Sequence, residues 1–256
     1  MTPKIFVSGP DTPLSGPRLV EILLARGFVA TELAMAFDSF RIANRLAGRE
    51  LFRLRIVSVE SGNTLPSLGG IEVAVTPMDT VPDLPDLLIV TGGTEMARAR
   101  PRFLPRLQRV RHAGGLAVAL SDAAQALLTS GAAETAAVHW EGRPVLEEAG
   151  MAHRGRNILY TRSGTLVTSA GMAATADVVL ALIAELATPA LMREVGRVLL
   201  LDRLRMAESE QPQGVSALAS LPDGPLRKAL RAMVCFGIPP VNHPDCPKRQ
   251  SVNPAA

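Results

Sequence analysis

Aromatic residues make up only 4% of this 256-residue chain, with one Trp and one Tyr, so any core it builds must be aliphatic. Cysteine is nearly missing: Cys235 and Cys246 both lie in the tail, with His243 between them. Paired C-x-x-C spacing is absent, so no metal site is expected. No apolar run reaches the roughly 18 residues of a membrane span, and no stretch combines a basic start, an apolar core and a small-residue cleavage site. These absences lead to the expectation of a soluble, reduced, cytoplasmic protein with no membrane partner. There is no internal repeat and no dinucleotide-type G-x-G-x-x-G, so no cofactor is expected. A large charge of one sign is lacking too. The net charge is only +3, although the pI is about 9.3 because nearly all the cations are Arg. That balance does not argue for nucleic acid. The one dense cluster, Arg98, Arg100, Arg102, Arg106, Arg109 and Arg111, reads as a solvated helix face with its flanking loop.

What is present is a chain 47% hydrophobic, enough to bury a sizeable parallel sheet in one large domain, with or without a small extension. Met1–Pro17 carries four prolines and two glycines, and Ile5-Phe6-Val7 is too short to anchor it, so residues 1–18 read as a lead segment. Leu19–Leu24 is the first strand. Thr31 is expected to cap a helix from about Glu32 to Leu46. Phe52–Ile56 alternates apolar and polar, as a half-buried strand near an edge does, and Gly69-Gly70 turns into a second alternating run at Ile71–Val75. Leu87–Val90 is continuously apolar, as a central parallel strand is. It ends in Thr91-Gly92-Gly93-Thr94, where glycines are expected to leave backbone N–H groups free to face a ligand. Helices are expected over about Arg102–Ala113, from Pro144, over Gly171–Ala187 and over Pro189–Arg205. Asn157–Tyr160 and Leu166–Thr168 read as a hairpin or successive strands. The alternation implies an α/β chain, a flavodoxin-like three-layer sandwich with a mainly parallel sheet.

The stretch from Leu116 to Gly131 organises the rest. Leu116–Leu120 is an apolar strand, Ser121-Asp122 is a polar corner, and an Ala/Leu helix follows that Gly131 can stop. This is the layout of a nucleophile elbow, with Ser121 at the sharp turn. The corner, with Val138-His139-Trp140-Glu141 beyond it, resembles AraC-type transcriptional regulators whose N-terminal domain is a DJ-1/PfpI (class I glutamine amidotransferase-like) domain. Ser121 stands where that family has cysteine, and Ala123 where it has glycine. Phe37–Leu46 is similar to the family's Glu-Pro-Leu-Arg-Ala-Ala-Asn-Arg-Leu segment, which puts Asp38 on the family's acid. Gly92-Gly93 matches its Cys-Gly-Gly, and Thr168–Asp177 matches its Leu-Thr-Ser-Ala-Gly-Gly run.

The resemblance divides the chain into the lead segment, a DJ-1/PfpI-like domain at 19–206, and a linker and tail at 207–256. It covers about Leu19–Met233, with Pro225–Met233 similar to the lead-in helix of a DNA-binding module. The family then places roughly a hundred residues of two helix-turn-helix units. Here Cys235–Ala256 holds five prolines and no helical period, so specific DNA binding by this chain alone is not expected. The family implies a ligand-sensing and dimerisation domain, a small nitrogen-containing metabolite as ligand, and a homodimer. Asp38, Gly92, Gly93, Ser121, Asp122, His139 and Trp140 are the expected ligand-binding residues. Two alternatives stand beside it. One is an interaction subunit that pairs with a full-length regulator. The other is a DJ-1/PfpI-type enzyme (hydrolase, hydratase or amidotransferase-like) using Ser121 in place of cysteine, with Asp38 and His139. A serine hydroxyl needs a base within hydrogen-bond reach, and His139 is the only candidate by family position. The corner is therefore read as non-catalytic, with Ser121 contacting ligand or serving as a hydrogen-bonding residue.

Overall fold

The computed structural model describes residues 16–211, with 224 and 225. The expected lead-in helix at Pro225–Met233 and the Cys235, His243, Cys246 tail lie outside these residues, apart from Pro225 itself. Strands β1 (Arg18–Leu24), β2 (Phe52–Ser58), β5 (Thr76–Pro77), β6 (Leu87–Val90), β7 (Leu116–Leu120), β10 (Tyr160–Ser163) and β11 (Leu166–Ser169) form one sheet in the order β10-β11-β7-β6-β1-β2-β5. Every pairing is parallel except the β10–β11 hairpin at one edge. Two small ladders lie outside it: β3 (Thr64–Pro66) with β4 (Glu72–Ala74), and β8 (Ala136–Ala137) with β9 (Gly155–Arg156).

The central strands bury both faces, which explains their unbroken apolar runs. Val20, Ile22, Leu24, Leu87, Ile89 and Val118 point into one core, beneath α1 (Ala30–Ala47), α5 (Ala174–Leu186) and α6 (Pro189–Val198). Leu23, Leu88, Val90, Ala117 and Ala119 point the other way, toward α2 (Met96–His112) and α3 (Ser121–Thr129). The short α4 (Arg143–Glu148) stands beyond the 3-10 turn Trp140–Gly142 that precedes it. Among the described residues no helix is long and apolar enough to cross a membrane.

Several boundaries differ from the sequence reading, each for a local reason. α1 begins at Ala30 after Val29, with Thr31 inside its first turn and no side-chain cap. α2 begins six residues before Arg102 and runs through Pro101 and Pro105. Its buried stripe Met96, Ala99, Phe103, Leu107, Val110 holds it to the sheet at helical spacing, outweighing the lost donors. α6 stops at Val198, well short of Arg205. The Leu200 and Leu201 amides fold back onto the Arg197 and Gly196 carbonyls, and Leu200 takes a left-handed φ of 56°. Arg106 departs from the solvated face expected for the arginine cluster, since its side chain is only 5% exposed and pairs with Glu21. The compact unit runs to Gln211.

Candidate functional site

The parallel strands β6 and β7 deliver two corners side by side at the C-terminal edge of the sheet, where loops of such sheets meet. Ser121 follows β7 directly and opens α3 with φ of 35°, a conformation uncommon outside glycine and found at sharp elbows. Its hydroxyl donates to Glu32 Oε1 at 2.8 Å. The same oxygen accepts the Met172 N–H at 3.0 Å, and Glu32 Oε2 accepts the Gly92 N–H at 2.6 Å. Gly171 roofs the corner, since a Cβ there would collide with the Glu32 carboxylate and the Ser121 side chain. Glu32 is fully buried and Ser121 is 5% exposed.

The carboxyl group at the elbow therefore belongs to Glu32, and the expected Asp38 is elsewhere. Asp38 lies on the outer side of α1, about half exposed, in an ion pair with Arg41 at 2.7 Å. Six residues separate it from Glu32, about 240° around a helix. Gly92 and Gly93 do sit beside Ser121 and Asp122, yet their amides are not free. Gly93 N–H donates to Asp122 Oδ2 at 2.9 Å, just as Gly92 N–H is held by Glu32. His139 is not joined to Ser121. Its Nδ1 accepts the Glu141 N–H at 3.4 Å, and its ring leans on Trp140 at 5.6 Å between centroids.

An open cavity of about 460 Å³ adjoins the corner. Its lining includes Gly93, Thr94 and Asp122, Gln125 and Thr129 of α3, and Val145 and Glu148 of α4. Two of the seven expected ligand residues, Gly93 and Asp122, line it. Gly92 and Ser121 lie behind it in the sealed corner, while Asp38, His139 and Trp140 lie off its lining. Thr94, Gln125, Val145 and Glu148 were not anticipated. The lining holds two carboxylates and no basic side chain.

Burial pushes the Glu32 carboxyl above its ordinary 4.5. The Gly92 and Met172 amides and the Ser121 hydroxyl pull the other way, and the nearby Asp122 charge adds to the rise. An acid with a higher pKa folded than unfolded binds more protons when folded, so stability falls as pH rises from 4.5 through the folded value. Glu32→Gln never ionises and should lose that decline. Urea midpoints from about pH 4 to about pH 8 should fall for the wild type relative to the variant. Parallel curves would contradict this assignment.

The DJ-1/PfpI family profile matches residues 18–185, most of the chain. The chain belongs to the DJ-1/PfpI family. Among curated proteins it is 28% identical over 201 residues to the HTH-type transcriptional regulator GbdR of Pseudomonas aeruginosa, covering 76% of this chain and 54% of that one. It is 30% identical over 173 residues to the HTH-type transcriptional regulator GlxA of Rhizobium meliloti, covering 65% and 52%. The chain thus spans about half the length of the curated relatives it matches. Among solved structures, an AraC family transcriptional regulator from Pseudomonas putida is 23% identical, with TM-score 0.58 over 72% of this chain and 100% of that one. Oxidized DJ-1 of Toxoplasma gondii is 21% identical, with TM-score 0.62 over 73% and 100%. These two share the fold.

Proposed function

We propose that this DJ-1/PfpI domain is the ligand-sensing and dimerisation domain of an AraC-type transcriptional regulator and that it is not an enzyme. One observation carries the non-catalytic reading: the Ser121 hydroxyl and the Gly92 and Gly93 amides are all committed to carboxylates. An acyl-transfer site needs backbone donors open toward the developing oxyanion, and the Gly92 and Gly93 amides are instead held by Glu32 and Asp122. Here the elbow geometry persists while its chemistry is spent on internal hydrogen bonds. The regulators among its relatives support the sensing role.

The ligand in this reading is a small nitrogen-containing metabolite held in the cavity beside Asp122. Asp122 and Glu148 with no cation opposite them suit a protonated or quaternary ammonium group. Calorimetric titration of the full chain with tetramethylammonium, choline and a panel of amino acids tests this. At least one ammonium compound should bind, and Asp122→Asn should weaken it about tenfold, roughly 1.4 kcal/mol. Binding unaffected by Asp122→Asn would move the ligand out of this cavity.

The homodimer in this reading uses the end of α6. α5 is sheathed by the sheet, α1 and α6 within one chain, so it has no apolar face left for a partner. Val198 and Leu200, 42% and 88% exposed, remain as surface leucine and valine suited to a symmetric contact. A monomer mass by light scattering at high concentration would count against it.

A further inference from the structure

Residues 205–211 are bound to the domain more densely than a passing loop requires. Arg205 gives its backbone N–H to Asp177 Oδ1 at 2.9 Å and its guanidinium to Oδ2 at 2.6 Å. The Tyr160 N–H donates to the Ala207 carbonyl at 3.2 Å, and the Leu159 N–H to the Ser209 carbonyl at 3.0 Å. Gln211, 4% exposed, closes the series. Its Nε2 donates to the Val138 and Ile158 carbonyls at 2.8 and 3.0 Å, and its Oε1 accepts the Trp140 N–H at 2.9 Å. Gln211 is also the last residue of the compact unit.

Trp140 opens the short turn that runs directly into α4, and α4 walls the cavity through Val145 and Glu148. Gly142 on the same turn packs against Gln125, which lines the cavity from α3. One short element therefore touches the cavity on one side and Gln211 on the other. A buried amide side chain serving three backbone groups is costly to leave half-satisfied, so displacement of the turn cannot be absorbed without a response at Gln211.

We propose that residues 205–211 are the output element of this domain: an occupant of the cavity, packing against α4, tightens the Gln211 latch and with it the stretch from which the polypeptide continues. The proposal rests on the reading of the cavity as a ligand site. It needs no ligand chemistry at Ser121.

Hydrogen-exchange mass spectrometry on the full chain tests it, with and without tetramethylammonium. A second arm uses Thr129→Phe, which fills the cavity from α3 without any ligand. Exchange across 205–211, and at the Trp140 amide, should slow by about threefold or more in both arms. Emission from Trp140, the single tryptophan, should shift in step. Gln211→Leu should still bind tetramethylammonium by calorimetry while exchange at 205–210 stops responding. If Gln211→Leu does not fold, Gln211→Glu replaces it, keeping the acceptor for Trp140 and losing both donors. Where tetramethylammonium binds, unchanged or faster exchange at 205–211 overturns the proposal. Where it does not bind, the ligand choice has failed and Thr129→Phe alone decides the latch, with the same outcome overturning it.

Discussion

Replacing Arg106 by Met should cost about 3–5 kcal/mol of folding stability, a large share of what a domain of this size holds. Glu21 sits on the central strand β1 with no exposure, and Arg106 meets it with two hydrogen bonds, Nε to Oε1 at 2.5 Å and Nη2 to Oε2 at 2.6 Å. Arg55 completes the charge balance from β2, donating to Glu21 at 2.8 Å and to Asp83 at 2.7 Å. Arg106 also holds the carbonyls of Val81 and Asp83, fastening the proline-containing connection before β6 to the sheet. Loss of Arg106 leaves a buried carboxylate with half its partners. The penalty comes from that uncompensated charge, so the double variant Glu21→Leu/Arg106→Met should be markedly more stable than Arg106→Met alone. Denaturant unfolding of the wild type, both single variants and the double variant checks this. Additive losses would show that the pair is not coupled.

The second large effect belongs to Gly93. Gly93→Ala should lose about 3–5 kcal/mol, from backbone strain and overpacking together. Its φ is 151°, and an added Cβ would stand 2.5 Å from the Gly27 carbonyl oxygen and 2.8 Å from Phe28 Cα. Both are backbone atoms on the turn between β1 and α1, so neither can swing aside as a side chain does. Thermal unfolding should show a fall of several degrees or more, and any ammonium binding at the cavity should weaken because the Gly93 amide no longer orients Asp122. A variant with wild-type stability would mean that this turn is far more yielding than its packing implies.

Much of this fold was legible in the sequence because burial on both faces leaves a simple mark. Leu87–Val90 and Leu116–Leu120 read as central strands since no residue in either run has a polar face to supply. Asp38 was misplaced for an equally physical reason. A motif match fixes a residue along the chain but not around the helix. Glu32, Ala36, Phe40 and Ala43 share the buried stripe of α1, and that spacing could have pointed to Glu32. The fate of the Gly92 and Gly93 amides was out of reach, because their partners Glu32 and Asp122 lie 60 and 29 residues away. Gln211 carried no signal at all. A polar residue at the head of a proline-containing stretch reads as linker, and only the three backbone groups that converge on it make it part of the domain.

Whether the Ser121 corner is closed is the question on which the sensor reading turns. Incubation of the full chain with a serine-reactive fluorophosphonate, followed by intact-mass and peptide mass spectrometry, addresses it directly. Ser121 is a buried residue, 5% exposed, with its hydroxyl bonded to Glu32, and it should give no adduct over hours at neutral pH. Stoichiometric labelling of Ser121 would show an accessible, activated nucleophile and would contradict the account.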